Sequence, residues 1–123
     1  MAYNPKQRRY IQDSYFSSQG IALLAMEQLK DKVEPLPSTS MIRSVWIELR
    51  YIDNYEDGRQ RKAGKKALNI LELDFIVERM RMYGSLNAAA SARRRSSDSV
   101  RKRLRDLGIL QEILDLEARI KKS

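Results

Sequence analysis

The sequence predicts an all-α protein, and three observations carry that prediction. Only three prolines and five glycines occur in 123 residues, so few positions interrupt a helix. No segment alternates apolar and polar residues over the length of a strand. Apolar residues recur instead at spacings of three and four, which is typical of amphipathic helices. The length fits one small domain, or a short domain with helical extensions.

Composition limits the partners and the chemistry. The net charge of +8 and a pI near 9.9 favour a polyanionic partner, with nucleic acid before an anionic membrane surface. The absence of cysteine and histidine excludes zinc fingers, disulfide scaffolds, thiol catalysis and imidazole catalysis. The longest apolar run, Ile21 to Met26, is far shorter than the roughly 20 residues of a membrane span. We expect no cofactor, no metal and no catalytic centre.

The first helix is predicted to begin near Lys6 or Asp13 and to end at Val33. Gly20 falls in its middle, and the segment 34–40 ends it because prolines lie on both sides of Leu36. A serine or threonine at 38–40 can cap the next helix. The apolar side of this first helix consists of Ile21, Leu24, Met26 and Leu29.

The second helix is predicted over Met41 to Asp57, with Gly58 as its end. Trp46 lies in phase with the other apolar residues of this helix, so we expect it in the core rather than stacked on a base. Tyr51 and Tyr55 lie near the edge of that face. The predicted buried face consists of Ile42, Val45, Trp46, Leu49 and Ile52.

A basic run follows this helix. The segment 58–66 contains five cationic residues and no acid, so it is either a solvated loop or a loop that contacts phosphates. Both interpretations stay open at this point. The cationic residues are Arg59, Arg61, Lys62, Lys65 and Lys66.

The third helix, predicted over Ala67 to Tyr83, is apolar on nearly every side. Such a helix requires burial on more than one face, so we expect it to pack against its own domain and against another protomer. Its carboxylates lack a histidine and a convincing ligand spacing, which argues against a metal site at Glu72, Asp74 and Glu78. Met80 and Met82 are predicted to fill gaps in the core.

Two short helices are predicted next. Gly84 ends the preceding helix and Ser85 caps the helix from Leu86 to about Arg93, whose inner face is Ala88 to Ala90. The second runs from about Ser97 to Leu107 and ends at Gly108. Its N-cap candidates are Ser96, Ser97 and Asp98, and its buried face is Val100, Leu104 and Leu107. Small residues at a helix crossing and a polar turn are typical of a helix-turn-helix.

Positive charge is concentrated on this second helix and the turn before it. Seven cationic side chains fall within 93–105, and Asp98 is the one acid among them. In a helix-turn-helix, small polar residues at the N-terminus of the second helix can meet base edges while flanking arginines meet phosphates. The cationic residues are Arg93, Arg94, Arg95, Arg101, Lys102, Arg103 and Arg105.

The segment from Leu68 to Ile109 resembles the C-terminal DNA-binding module of Fis, the factor for inversion stimulation, which also closes the NtrC-type activators. The resemblance covers about a third of the chain, and "RKRLRDLGI" (101–109) is its most specific part. Three positions depart from the family pattern. Arg94 takes the place of the family's turn glycine, where a left-handed conformation strains any other residue. Arg95 replaces a buried aliphatic residue of the pattern, and Ser85 replaces an asparagine.

The resemblance implies a dimer whose paired recognition helices enter successive major grooves. The helix that precedes the two short helices, Leu68 to Tyr83, would then help to form the dimer core. The base-edge candidates that it implies are Ser96, Ser97, Ser99 and Arg101. The phosphate candidates are Asn87, Lys102, Arg103 and Arg105, and we expect Arg93, Arg94 and Arg95 to contact the DNA backbone as well.

The last segment, "ILQEILDLEARIKKS", carries a short heptad-like seam. Leu110 and Leu114 widen it, and two turns are too few to hold a coiled coil alone. We expect this segment to pack on the N-terminal helices or on a partner subunit. The seam consists of Ile109, Ile113, Leu116 and Ile120.

The sequence thus predicts three regions: a helical oligomerisation or partner region (1–66), a helix-turn-helix region (67–109) and a helical extension (110–123). We expect a homodimer or higher homo-oligomer that binds double-stranded DNA, as a transcriptional regulator or architectural protein of bacterial or bacteriophage origin. Its expected location is the cytoplasm or nucleoid, and its expected protein partner is RNA polymerase or another regulator. One alternative is a DNA-packaging recognition subunit of the phage small-terminase type. Another is a protein-interaction module whose helix-turn-helix has lost DNA binding.

Overall fold

A computed structural model describes residues 3–52 and 68–122, and all regular structure within these ranges is α-helical. The predicted all-α class is therefore confirmed for this part of the chain. The chain divides into two compact units, Met1–Tyr55 and Glu56–Ser123. The region boundary predicted at 66/67 lies outside the described residues.

The described residues of the first unit, 3–52, form three helices: α1 (Pro5–Ser17), α2 (Ala22–Gln28) and α3 (Thr39–Glu48). α1 begins with a capping box, in which the Asn4 side chain accepts from the Gln7 backbone N–H and the Gln7 side chain accepts from Asn4 N–H. Trp46 is fully buried, and its indole N–H donates to the Ile11 carbonyl at 3.1 Å. This confirms the prediction that Trp46 belongs to the core.

The prediction of one helix up to Val33 is wrong. α1 ends at Ser17 because Gln19 and Gly20 both adopt positive φ angles, 57° and 81°, which no right-handed helix accommodates. α2 then begins at Ala22 and ends at Gln28. Of the predicted apolar side, Met26 is half-buried, and the buried members are Ile21, Leu24 and Leu29.

α3 confirms the predicted cap and corrects the predicted end. The Ser38 hydroxyl accepts from the Met41 backbone N–H, as a capping serine should. The helix ends at Glu48 rather than at Asp57, since Arg50 turns the chain with a φ of 64°. Leu49 is exposed instead of buried, while the other four residues of the predicted face are buried. The predicted positions of Tyr55, Gly58 and the basic run 58–66 lie outside the described residues.

The part of the second unit that the structure describes, 68–122, contains four helices: α4 (Ile70–Tyr83), α5 (Leu86–Ala92), α6 (Ser97–Asp106) and α7 (Leu110–Lys122). α4 packs against α5 and α7. α6 also contacts both α5, which precedes it in the chain, and α7, which follows it. The C-terminal segment therefore packs within the second unit, against α4 and α6. The largest buried apolar side chains of this core include Leu73, Ile76, Met80, Leu86, Leu104 and Ile113.

The helix ends of this unit follow the predicted signals. Gly84 and Gly108 adopt left-handed conformations, with φ angles of 84° and 77°, at the ends of α4 and α6. The hydroxyls of Ser85 and Ser96 cap α5 and α6. Local sequence signals thus place the C-terminal ends of α4, α5 and α6 and the starts of α5 and α6 to within about one residue.

Two expectations for α4 need correction. The helix begins at Ile70 rather than Ala67, because the Asn69 side chain caps it by accepting from Glu72 N–H. Met82 is 65% exposed and fills no gap in the core of this unit, whereas Met80 is buried as predicted. Within residues 3–52 and 68–122, no helix combines the length and apolarity that crossing a membrane requires.

Candidate nucleic-acid interface

α5 and α6 form a compact pair joined by a short turn. Ala89 and Ala90 are buried on α5, and their small side chains allow the neighbouring helices to approach closely. On α6 the apolar residues Val100 and Leu104 are fully buried, while Leu107 is half-buried. The buried side of α6 is therefore narrow, and most of the helix circumference faces outward.

The turn between these helices is closed by the residue predicted to be strained. Arg94 adopts a left-handed conformation with a φ of 60°. Its N–H donates to Ser91 O, and Arg95 N–H donates to Ala90 O, both at 2.9 Å, so these two carbonyls near the end of α5 are satisfied. A non-glycine residue in this conformation costs about 1–2 kcal/mol. The Arg94 side chain is exposed.

Arg95 points inward, toward a buried carboxylate. Glu72 of α4 is fully buried and accepts two hydrogen bonds from Arg95, Nε to Oε2 at 2.8 Å and Nη2 to Oε1 at 2.6 Å. The resemblance to the Fis pattern would place a buried aliphatic side chain at the position of Arg95. The hydrogen bond to Glu72 raises the pKa of the Arg95 guanidinium, and the charge of the carboxylate adds to this effect while burial opposes it.

Arg93 contacts the same carboxylate from the end of α5. Its Nε donates to Glu72 Oε2 at 3.3 Å, and its guanidinium lies over the Phe75 ring, 5.4 Å from the centroid. The Arg93 and Arg95 side chains are only 14% and 10% exposed. Of the three arginines expected to contact the DNA backbone, Arg94 is therefore the exposed one, whereas Arg93 and Arg95 lie against Glu72.

The remaining sequence-predicted residues lie on or beside the outward side of α6. Arg101, Arg103 and Ser97 are half-buried, at the flanks of the helix. The exposed members of the set are Asn87, Ser96, Ser99, Lys102 and Arg105. The structure therefore brings these residues together on α6 and the turn before it, with Asn87 on the adjoining α5.

Two of the serines predicted to meet base edges are involved in capping α6. The Ser96 hydroxyl accepts from the Ser99 backbone N–H at 3.1 Å and donates to the Ser99 hydroxyl at 2.7 Å. Asp98 lies in the first turn of α6, where its negative charge interacts favourably with the helix dipole but would repel a nearby phosphate. Ser97 and Ser99 follow the cap directly, at the end of α6 where a groove-binding helix meets base edges.

Asn87 and Arg101 are joined across the helix pair. Arg101 Nη2 donates to the Asn87 side-chain oxygen at 3.1 Å, although the two residues are 14 positions apart. The hydrogen bond links a predicted phosphate contact on α5 to a predicted base contact on α6. A long side chain that already has a fixed partner loses less conformational entropy on binding than a free one.

A carboxylate that the sequence analysis did not single out supports the N-terminus of α5. Glu117 of α7 is buried, and its Oε2 accepts from the Leu86 backbone N–H at 2.7 Å. Its position is favourable because unpaired N–H groups and the helix dipole attract negative charge to the start of a helix. The sequence signal for this capping role is the position of Glu117 directly after Leu116, a residue of the apolar seam of α7.

In the described ranges no group of three or more acidic side chains is placed to hold a metal ion. No family model, curated protein or solved structure matches this chain. The resemblance to the Fis module therefore stays an expectation that rests on the residues quoted above.

Proposed function

We propose that this protein binds double-stranded DNA by placing α6 in the major groove. The observation that carries the proposal is the α5–α6 pair. Val100 and Leu104 are buried on one side of α6, and cationic side chains such as Lys102 and Arg105 are exposed on the other. The apolar side of α6 is too narrow to bury in lipid, so nucleic acid suits this surface better than a membrane does. An α-helix of this kind fits the major groove of B-DNA.

The side chains of this surface divide into two roles. We assign Ser97, Ser99 and Arg101 to base edges, because they lie at the N-terminal half of α6 or on its flank. We assign a second set, four exposed residues and the half-buried Arg103, to the phosphate backbone, where they fix the register of the helix without reading sequence. This set comprises Asn87, Arg94, Lys102, Arg103 and Arg105.

We further propose that the protein acts as a dimer that occupies or bends its site, as a transcriptional regulator or an architectural protein rather than as an enzyme. Two exposed residues at the end of α4 support an intermolecular contact, since Met82 and Tyr83 are 65% and 48% exposed. A dimer would present two copies of α6 to successive major grooves. The mass of the protein in solution, measured with and without DNA, tests this arrangement, and a large ring would favour the packaging alternative instead.

Titration of a fluorescent duplex of random sequence at several salt concentrations tests the proposal itself. If about six phosphates are neutralised per protomer, log affinity should fall against log salt with a slope of roughly −5. A footprint or selected-sequence assay would then show whether binding is specific. Absence of salt-sensitive binding would sink the proposal and favour the protein-interaction alternative.

A further inference from the structure

The arginine run 93–95 does not present three equivalent charges. Arg94 is exposed, whereas Arg93 and Arg95 both reach the fully buried carboxylate of Glu72. The alternation follows from the turn, because the left-handed conformation of Arg94 reverses the chain between the two inward-facing residues. The ionic contacts therefore connect α4 to both ends of the turn that precedes α6.

We propose that Glu72 is a positioning residue of the DNA-binding surface: it holds Arg93 and Arg95 inward, fixes the turn, and leaves Arg94 to contact phosphate. This inference rests on the proposed function, and it adds a residue outside the helix-turn-helix to the determinants of binding. Glu72 acts through the two arginines and does not itself touch DNA.

The geometry favours a structural assignment for Arg95 over a phosphate contact. Its guanidinium is paired at both Nε and Nη2 with one carboxylate, which is the planar bidentate arrangement that arginine adopts in strong ion pairs. If the Arg95 guanidinium turned outward, the buried carboxylate of Glu72 would lose both hydrogen bonds from it, which is strongly unfavourable. Arg94 has no such constraint, because its side chain is already exposed.

The salt dependence of DNA binding separates these roles. A side chain that neutralises a phosphate contributes to the slope of log affinity against log salt, at about 0.9 per phosphate on B-DNA. Arg94→Ala should therefore reduce the steepness of the slope by about 0.9 for each protomer bound. Arg95→Ala should lower the affinity by a similar factor at every salt concentration and leave the slope unchanged.

A double substitution addresses the case in which Arg95→Ala fails to fold. Glu72→Leu with Arg95→Leu replaces the ion pair by apolar side chains, which often retains stability, whereas Glu72→Leu alone leaves two cations without their carboxylate. Because Arg93 still loses its carboxylate, we expect the double variant to unfold below the wild-type temperature but above that of Glu72→Leu alone, and to bind DNA with the wild-type slope. Glu72→Leu alone should unfold at a clearly lower temperature. Arg81→Ala, on the exposed side of α4, is the control for loss of one arginine.

The outcomes are distinguishable. If wild-type protein shows no salt-sensitive duplex binding, the proposed function fails and this inference fails with it. If wild type binds but Arg95→Ala or the double variant flattens the slope as Arg94→Ala does, Arg95 contacts phosphate and only the positioning role of Glu72 is overturned. An unchanged unfolding temperature for Glu72→Leu would also overturn it, independently of DNA.

Discussion

The side-chain oxygen of Asn87 on α5 accepts a hydrogen bond from Arg101 on α6 at 3.1 Å. The contact joins the two helices of the proposed reading surface through their polar side chains, in addition to the buried alanines and Val100. Since Arg101 is the proposed base-reading cation, its direction depends in part on Asn87. The pair therefore allows direct readout to be tested separately from general electrostatic attraction.

We predict that Arg101→Ala lowers affinity for a preferred site by about 1–3 kcal/mol and reduces the preference over random DNA. Asn87→Ala should cost less but should reduce the same preference, because Arg101 then loses its partner. Binding of both single variants and the double variant, to preferred and random duplexes, gives the coupling energy directly. Lys102→Ala is the control, since it should weaken all duplexes alike. Strictly additive effects of the two substitutions would contradict the positioning of Arg101 by Asn87.

Arg94 should show opposite effects on folding and on binding. Arg94→Gly removes the Cβ from a left-handed position, so it should relieve most of a strain of about 1–2 kcal/mol, less the entropy that glycine gains in the unfolded chain. The same substitution removes an exposed cation and should weaken DNA binding. Thermal unfolding and duplex titration measure the two effects. Arg94→Asn is a matched variant, because asparagine tolerates this conformation and also lacks the charge.

The sequence predicted those features of the fold that depend on neighbouring residues. Ser38, Ser85 and Ser96 cap helices, and Gly84 ends one, because each acts on backbone groups within a few positions. The break after Ser17 was missed, since positive φ at Gln19 has no reliable local signal. The helix pair could be predicted from spacing, but the inward direction of two of its arginines could not.

Long-range polar contacts account for most of what the sequence did not reveal about the candidate site. Glu72 and Arg95 are 23 positions apart, and Leu86 and Glu117 are 31 apart. Residue type alone does not distinguish a buried glutamate from an exposed one. The apolar residues around Glu72 in the sequence did not identify its partner either. Only the folded arrangement of α4, the turn and α7 shows which charges are used internally and which remain for a ligand.

Trp46 should contribute to stability through its hydrogen bond as well as its size. The substitution Trp46→Phe removes the donor to the Ile11 carbonyl and leaves a small cavity, so we expect a loss of about 1–3 kcal/mol or more. Circular dichroism during chemical denaturation measures the change without relying on tryptophan fluorescence. Ile47→Ala, at an exposed position on the same helix, should change stability by much less. Equal losses for the two variants would contradict the central position of Trp46 in the first unit.

Glu117 on α7 should stabilise the start of α5. Its carboxylate accepts from Leu86 N–H at 2.7 Å in a buried setting, where a charged acceptor at a helix N-terminus is worth about 1–3 kcal/mol. Glu117→Gln keeps the size and an oxygen acceptor but loses the charge, and Glu117→Leu removes the acceptor and leaves the N–H unpaired. We therefore expect stability to fall in the order wild type, Gln variant, Leu variant. Glu112→Gln, at an exposed position on α7, is the control for loss of one acid and should cost only a few tenths of a kcal/mol. Hydrogen exchange at the Leu86 amide provides the decisive measurement, because it should accelerate in both Glu117 variants and remain slow in the control.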